Sequence, residues 1–205
     1  NAERYYRALM LGGEQTWNIR DEHMMDTLEN SLWHLGPDSK AIVWAHNTHI
    51  GDYHATNMLE EGYINLGGLA RERLGMENVA LVGFGTYQGE VLAGRAWEAE
   101  PEVMSLAEAQ IGSYEWDFHQ AAQSLGLTDF AMWIAGDPDL SLQKTQRAVG
   151  VVYQPRFESG GRNYVPTELP KRYDAFIFVD QTTALKALPS HTEKGAFPET
   201  WPVGV

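Results

Sequence analysis

The stretch Ala41-Ile42-Val43-Trp44-Ala45-His46-Asn47-Thr48-His49-Ile50-Gly51-Asp52 constrains this chain more than any other. Its first five residues are apolar and partly β-branched, and they read as a buried strand over 41–45. The run then breaks into polar residues carrying two histidines three apart. In α/β folds, ligands gather in the crevice outside the carboxyl ends of the strands. A strand ending in His-x-x-His would deliver two imidazoles to that place. Such a pair can orient water, polarise a carbonyl or move a proton near neutral pH, and when close together it titrates as a coupled unit. His46 and His49 are therefore the leading candidates for chemistry.

The rest of the pattern predicts alternating helices and strands. A helix is expected over 2–11, stopped by Gly12-Gly13. A second should run to Leu35, capped by Asn18 or Asp21, with an apolar stripe of Met24, Met25, Leu28, Leu32 and Leu35. Short helices are expected over 53–61 and from Asn65 through Arg73, and a further one over 113–124. Strands are expected over 79–84, 129–134, 148–153 and 174–180, with 86–93 extended. Residues 95–111 and 154–171 read as loops, the latter long enough for a lid, and the tail after Pro189 as irregular. This alternation predicts an α/β fold with a largely parallel sheet flanked by helices.

Composition narrows the partners. A net charge of −13 argues against nucleic acid or an anionic membrane surface, because both demand clustered Lys and Arg. No apolar run reaches the length of a membrane span. With no cysteine, thiolate chemistry and disulfides are excluded. A small-molecule substrate is the expected partner, and the cytoplasm the expected compartment. The opening Asn-Ala-Glu-Arg-Tyr-Tyr-Arg already looks like mid-helix, so the chain reads as residues 1–205 of the trailing part of one longer domain, its N-terminal half lying upstream.

Several side chains admit two readings. Zinc takes N and O ligands, so His46 and His49 with Asp52 and His54 could bind it, yet His-x-x-His on a turn is no dedicated zinc signature, and no cofactor is expected. Arg20, a fixed cation with a planar fork, could hold an oxyanion or merely pair with Asp21 or Glu22. His23 could face the same cleft or be structural. Gly83-Phe84-Gly85-Thr86-Tyr87-Gln88-Gly89 lacks the spacing and the following helix of a dinucleotide site, although Tyr87 could line a pocket. Trp17 and Asn47 flank the two motifs as substrate-wall candidates, while Trp44 reads more readily as core. No Gly-x-Ser-x-Gly elbow is present.

Longer strings carry a resemblance. Trp17-Asn18-Ile19-Arg20-Asp21-Glu22-His23-Met24, Val43 through Asp52, Asn65-Leu66-Gly67-Gly68-Leu69-Ala70-Arg71-Glu72, Val82 through Gly89, Arg147 through Tyr153 and Tyr173 through Thr182 together resemble the erythromycin esterase family. The resemblance covers the C-terminal half of that family's domain. It implies a mixed α/β hydrolase distinct from the Ser-His-Asp lipases, some of whose members open macrolide lactones and confer antibiotic resistance. It further implies water activated by a histidine in an upstream Glu-x-x-His-Gly segment that this sequence lacks. His46 and His49 match the family's second histidine pair and Arg20 an arginine beside the cleft. Arg162-Asn163-Tyr164 departs from the Ser-His-Tyr frequent among relatives. A metal-dependent hydrolase, a non-catalytic binding module and an enzyme acting on carbohydrate esters remain alternatives.

Overall fold

A computed structural model describes residues 1–11 and 15–186. In chain order the elements are α1 (Ala2–Met10), α2 (Thr16–Leu35), α3 (Asn47–Ile50), α4 (Leu66–Leu74), β1 (Val82–Ala93), β2 (Glu102–Leu106), α5 (Tyr114–Leu125), β3 (Phe130–Trp133), β4 (Lys144–Arg147), α6 (Pro155–Glu158), β5 (Tyr164–Thr167), α7 (Leu169–Arg172) and β6 (Ala175–Thr182). A four-stranded sheet has the order β2-β1-β6-β3, and β4 pairs with β5 in a separate ribbon.

The fold is mixed α/β, but the sheet is not largely parallel. Only β1 and β6 run parallel, while β2 and β3 join as antiparallel edges and the β4–β5 ribbon is antiparallel too. The reason for β2 lies in its connection: the 94–101 loop is shorter than the dozen or so residues a parallel crossover needs. β1 changes partner along its length, pairing with β6 over Val82–Gly89 and with β2 over Gly89–Ala93. Gly89 sits at the change with φ +130, and a Cβ there would stand 2.1 Å from the Thr182 carbonyl oxygen. Only glycine fits that crossing.

Strand periodicity sorts the side chains of the sheet. Phe176 and Phe178 on β6 point to one face and are sealed by Tyr114, Phe118 and Leu169. Ile177 and Val179, with Val82 and Phe84 of β1, point to the other face and line an open apolar cleft of about 1250 Å³. Parallel strand pairs are normally buried on both faces, so this face stands out. Beside it, α2 and α4 pack through Met25, Leu66, Leu69 and Ala70.

The expected strand over 41–45 does not form: Ile42 is 95% and Trp44 85% exposed, so Trp44 is not core. The segment lines the cleft without regular secondary structure. The Asn47 side chain takes the place a neighbouring strand would fill, donating to the Phe84 carbonyl (2.6 Å) and accepting its N–H (3.1 Å). Other expectations also shift. Residues 53–61 make a 3-10 turn at Tyr53–Ala55 followed by turns, rather than a helix. The 95–111 loop contains β2, and 154–171 is not a free loop but holds α6, β5 and part of α7. The strand expected over 148–153 is replaced by β4, which ends at Arg147, and by one bridge between Gly94 and Val152. The Gly12-Gly13 stop and the tail after Pro189 lie outside the described residues.

Candidate active site

The first turns of α2 set out Trp17, Arg20 and Asp21 on one side of the helix. Asp21 does not cap its own helix, whose N-cap is Gln15. It falls instead on the stripe of Met25, Leu28 and Leu32, one helical repeat apart, and is fully buried. There it accepts the N–H of Leu66 at the start of α4 (3.1 Å), where a helix N-terminus favours negative charge. Asn18 is no cap either: it binds the Ile64 N–H and Gly62 carbonyl, joining α2 to the loop before α4.

Both Asp21 oxygens receive His49 Nδ1, at 2.9 and 3.0 Å. A carboxylate only accepts and a guanidinium only donates, so the proton sits on Nδ1 and Nε2 keeps its lone pair. That lone pair faces Arg20, whose Nη2 donates to it at 3.2 Å. Trp17 stacks on the imidazole with centroids 4.5 Å apart and planes 6° from parallel, and Arg20 lies 5.2 Å over the indole. The Trp17 Nε1–H is spent on the Ile64 carbonyl (2.7 Å). The His49 side chain is 16% exposed, so the cluster is sheltered but reachable.

His46 is held differently. It is the N-cap of α3: Nδ1 accepts the Thr48 N–H at 3.2 Å, and Nε2 bonds the Val149 carbonyl at 2.9 Å. Both ring nitrogens are thus engaged. The surrounding protein desolvates the ring and holds its pKa below the ordinary value; the bond to the Val149 carbonyl opposes this fall and the nearby Arg172 charge adds to it. His46 and Asn47 line the open cleft, whereas His49 lies behind them against α2.

α3 is fixed by two devices that the sequence did not advertise. Asn65 is fully buried; its Oδ1 caps the Gly68 N–H (3.1 Å) while its Nδ2 donates to the Gly51 (2.6 Å) and Thr48 (2.9 Å) carbonyls. Gly67 lets α4 approach so closely that a Cβ would sit 2.1 Å from the Ile50 carbonyl oxygen.

The remaining candidates lie apart from this cluster. His23 is on the exposed face of α2. Tyr87 is buried and stacked 3.7 Å from His119, so it does not line the cleft. Asn47 spends its amide on Phe84 rather than presenting it. Asp52 and His54 pair with each other (2.8 Å) and with Arg71 and Glu72 respectively, not with His46 and His49. Among the described residues, no three His, Asp or Glu side chains converge to hold a metal ion. Nor is any described helix long and apolar enough to cross a membrane.

Fold and site together define a mixed α/β protein built around a carboxylate-fixed imidazole beside a guanidinium. The family model for erythromycin esterase matches residues 1–182, and the chain belongs to that family. Solved structures share the fold. A Bacillus cereus protein has a TM-score of 0.65 at 21% identity, with 83% of this chain and 40% of that one covered. A mutant of erythromycin esterase EreC in its open conformation gives a TM-score of 0.59 at 16% identity, covering 87% and 41%. A succinoglycan biosynthesis protein gives 0.53 at 17%, covering 70% and 33%. The chain thus spans well under half the length of each structure it matches.

Proposed function

We propose that this chain carries the histidine side of an ester-hydrolysing site whose substrate is a carboxylic ester, with a macrolide lactone as the leading candidate. The supporting observation is the fixed tautomer of His49. With its proton committed to Asp21, Nε2 is a proton acceptor beside a permanent cation. In the reaction, Arg20 turns from Nε2 to the ester oxygen on which charge develops, and Nε2, so freed, takes a proton from the water that attacks the carbonyl. Asp21 then stabilises the imidazolium, which returns the proton to the departing alcohol. His46 acts as a fixed post that orients α3. Opening a macrolide ring in this way would inactivate the antibiotic.

In this reading His49 takes the role that the resemblance gives to an upstream histidine, and parts outside this sequence complete the substrate pocket. The uncovered sheet face of Val82, Phe84, Ile177 and Val179, with the unpaired 41–45 segment along its rim, offers the surface on which that upstream part of the same protein would pack. The test is to incubate the longer protein with a macrolide and a panel of simple carboxylic esters, following product mass. Gain of one water by the lactone supports the proposal; no hydrolysis of any ester contradicts it. The 1–205 chain alone should be inactive, with activity restored by the separately expressed upstream part.

A further inference from the structure

Beneath α3 lies a set of buried polar side chains that the proposed chemistry leaves unused: Glu115 on α5, Gln146 on β4, Arg172 at the end of α7, and Tyr173. None is more than 1% exposed. Arg172 touches Gln146 and Tyr173, and its charge reaches Glu115. Arg172 Nη1 donates to Gln146 Oε1 and Thr167 Oγ1, both at 3.0 Å, and its guanidinium lies 5.3 Å from the Tyr173 ring centroid. The Gln146 amide influences the Tyr173 hydroxyl without making a well-formed hydrogen bond to it. Glu115 Oε1 accepts the Arg147 N–H at 3.0 Å, and Glu115 feels the charges of both Arg147 and Arg172.

Each of the four carries one polar atom without a hydrogen-bond partner in the protein: Glu115 Oε2, Gln146 Nε2, Arg172 Nε and the Tyr173 hydroxyl. Only two other buried side-chain atoms among the described residues share this condition, Arg71 Nε and Glu158 Oε1, and the second is ion-paired to Arg147 at 2.6 Å. Buried polar groups almost always find partners, so four orphans in one linked cluster need a common explanation. The charge pattern asks for the same. Arg71 and Arg147 are buried against carboxylates at 2.6–3.1 Å, whereas among the described residues no carboxylate lies within ion-pair distance of Arg172. A buried cation without a counter-charge is strongly disfavoured.

We propose that one ordered water sits among these atoms, accepting from Arg172 Nε and Gln146 Nε2 and donating to Glu115 Oε2 and the Tyr173 hydroxyl. Two donors, one acceptor and one hydroxyl match the four hydrogen bonds a water makes. The water joins Glu115 to Arg172 directly under the candidate site. Gly51, at the end of α3, rests on this pair: a Cβ there would lie 2.7 Å from Arg172 Nε and 2.8 Å from the Tyr173 ring. The Arg172 carbonyl also accepts the Asp52 N–H at 3.0 Å. Glu115 and Arg172 are thus positioning residues for α3, whatever reaction the site performs. The titratable groups facing Glu115 are Arg147, Arg172 and Tyr173.

A crystal structure with resolved internal solvent tests this directly. The expected map has one peak at roughly 2.7–3.2 Å from at least three of the four atoms. No peak, or the four side chains bonded directly to one another, overturns the proposal. In solution, ¹³C NMR of the Glu115 carboxyl should show its titration midpoint rise by about one pH unit, tenfold in the constant, in Gln146→Leu, because the bridging water loses a donor. An unchanged midpoint in a folded variant contradicts the bridge, and if that variant does not fold the wild-type map decides.

Discussion

The buried carboxylate of Asp21 holds His49 Nδ1 through both of its oxygens, at 2.9 and 3.0 Å, while also receiving the first N–H of α4. One side chain therefore fixes both the tautomer of the imidazole and the place of the helix behind it. Asp21→Asn keeps the shape but offers an amide that can donate to Nδ1 and leave the ring in the wrong tautomer. We expect esterase activity of the longer protein to fall by about 10³–10⁴-fold, as carboxylate-to-amide changes do in other His–Asp pairs. Steady-state kinetics beside ¹⁵N spectra of the His49 ring check this; full activity with an unchanged tautomer would count against it.

Glu115 makes stability depend on pH. Burial pushes its carboxyl from an ordinary 4.5 to about 7. The folded state therefore holds a proton that the unfolded chain releases. The resulting contribution is complete below pH 4.5 and is lost as pH rises to about 7. Its size is on the order of 3 kcal/mol. Glu115→Gln should flatten this limb of the stability profile. Urea denaturation of both proteins between pH 4 and pH 8, roughly the span over which the term vanishes, reads the difference, and parallel profiles would refute it.

Much of this architecture could be read in the sequence, and the failures share a cause. Helices with strong stripes, such as α2 and α5, and strands rich in aromatics and β-branched residues, such as β6, fall where expected. The apolar 41–45 run misleads because strand character in a sequence states a preference, while a strand needs a partner ladder, and the described residues supply none. Asp21 reads locally as a cap or an ion-pair partner, although its place on the stripe of Met25, Leu28 and Leu32 is that of a buried carboxylate. His-x-x-His spacing pairs His46 with His49, yet their contacts differ: one caps a helix and the other faces Arg20. That division depends on contacts with Val149 and Asp21, which spacing cannot reveal. The family was legible because its motifs recur in order along the chain.

Arg147 and Glu158 form a buried ion pair at 2.6 Å that also gathers Tyr153, Tyr164 and the carbonyls of Thr86, Tyr87 and Ala107. Glu158→Gln strands the guanidinium without its counter-charge, and its expected cost is about 3–5 kcal/mol. A drop in the urea midpoint measures it. Loss below about 1 kcal/mol, the worth of an exposed pair, would show that the pair is not buried in solution.

Gly67→Ala drives a methyl group into the Ile50 carbonyl, 2.1 Å away. Because the obstacle is backbone, α3 must shift. The expected destabilisation is about 1–3 kcal/mol, accompanied by loss of activity larger than the loss of folded protein. Gly36→Ala is the control: it meets nothing within 4 Å, although its φ of +101 strains any side chain. It should lower stability without altering the activity of the folded fraction.

The most direct test of the account is His49→Asn in the longer protein, assayed for ester hydrolysis at pH 7. An asparagine can still bond Asp21 but cannot accept and return a proton. The account predicts that kcat falls by at least about 10²-fold, the lower range for a lost general base, while the melting temperature stays close to wild type. Wild-type kcat in a correctly folded His49→Asn protein would contradict it.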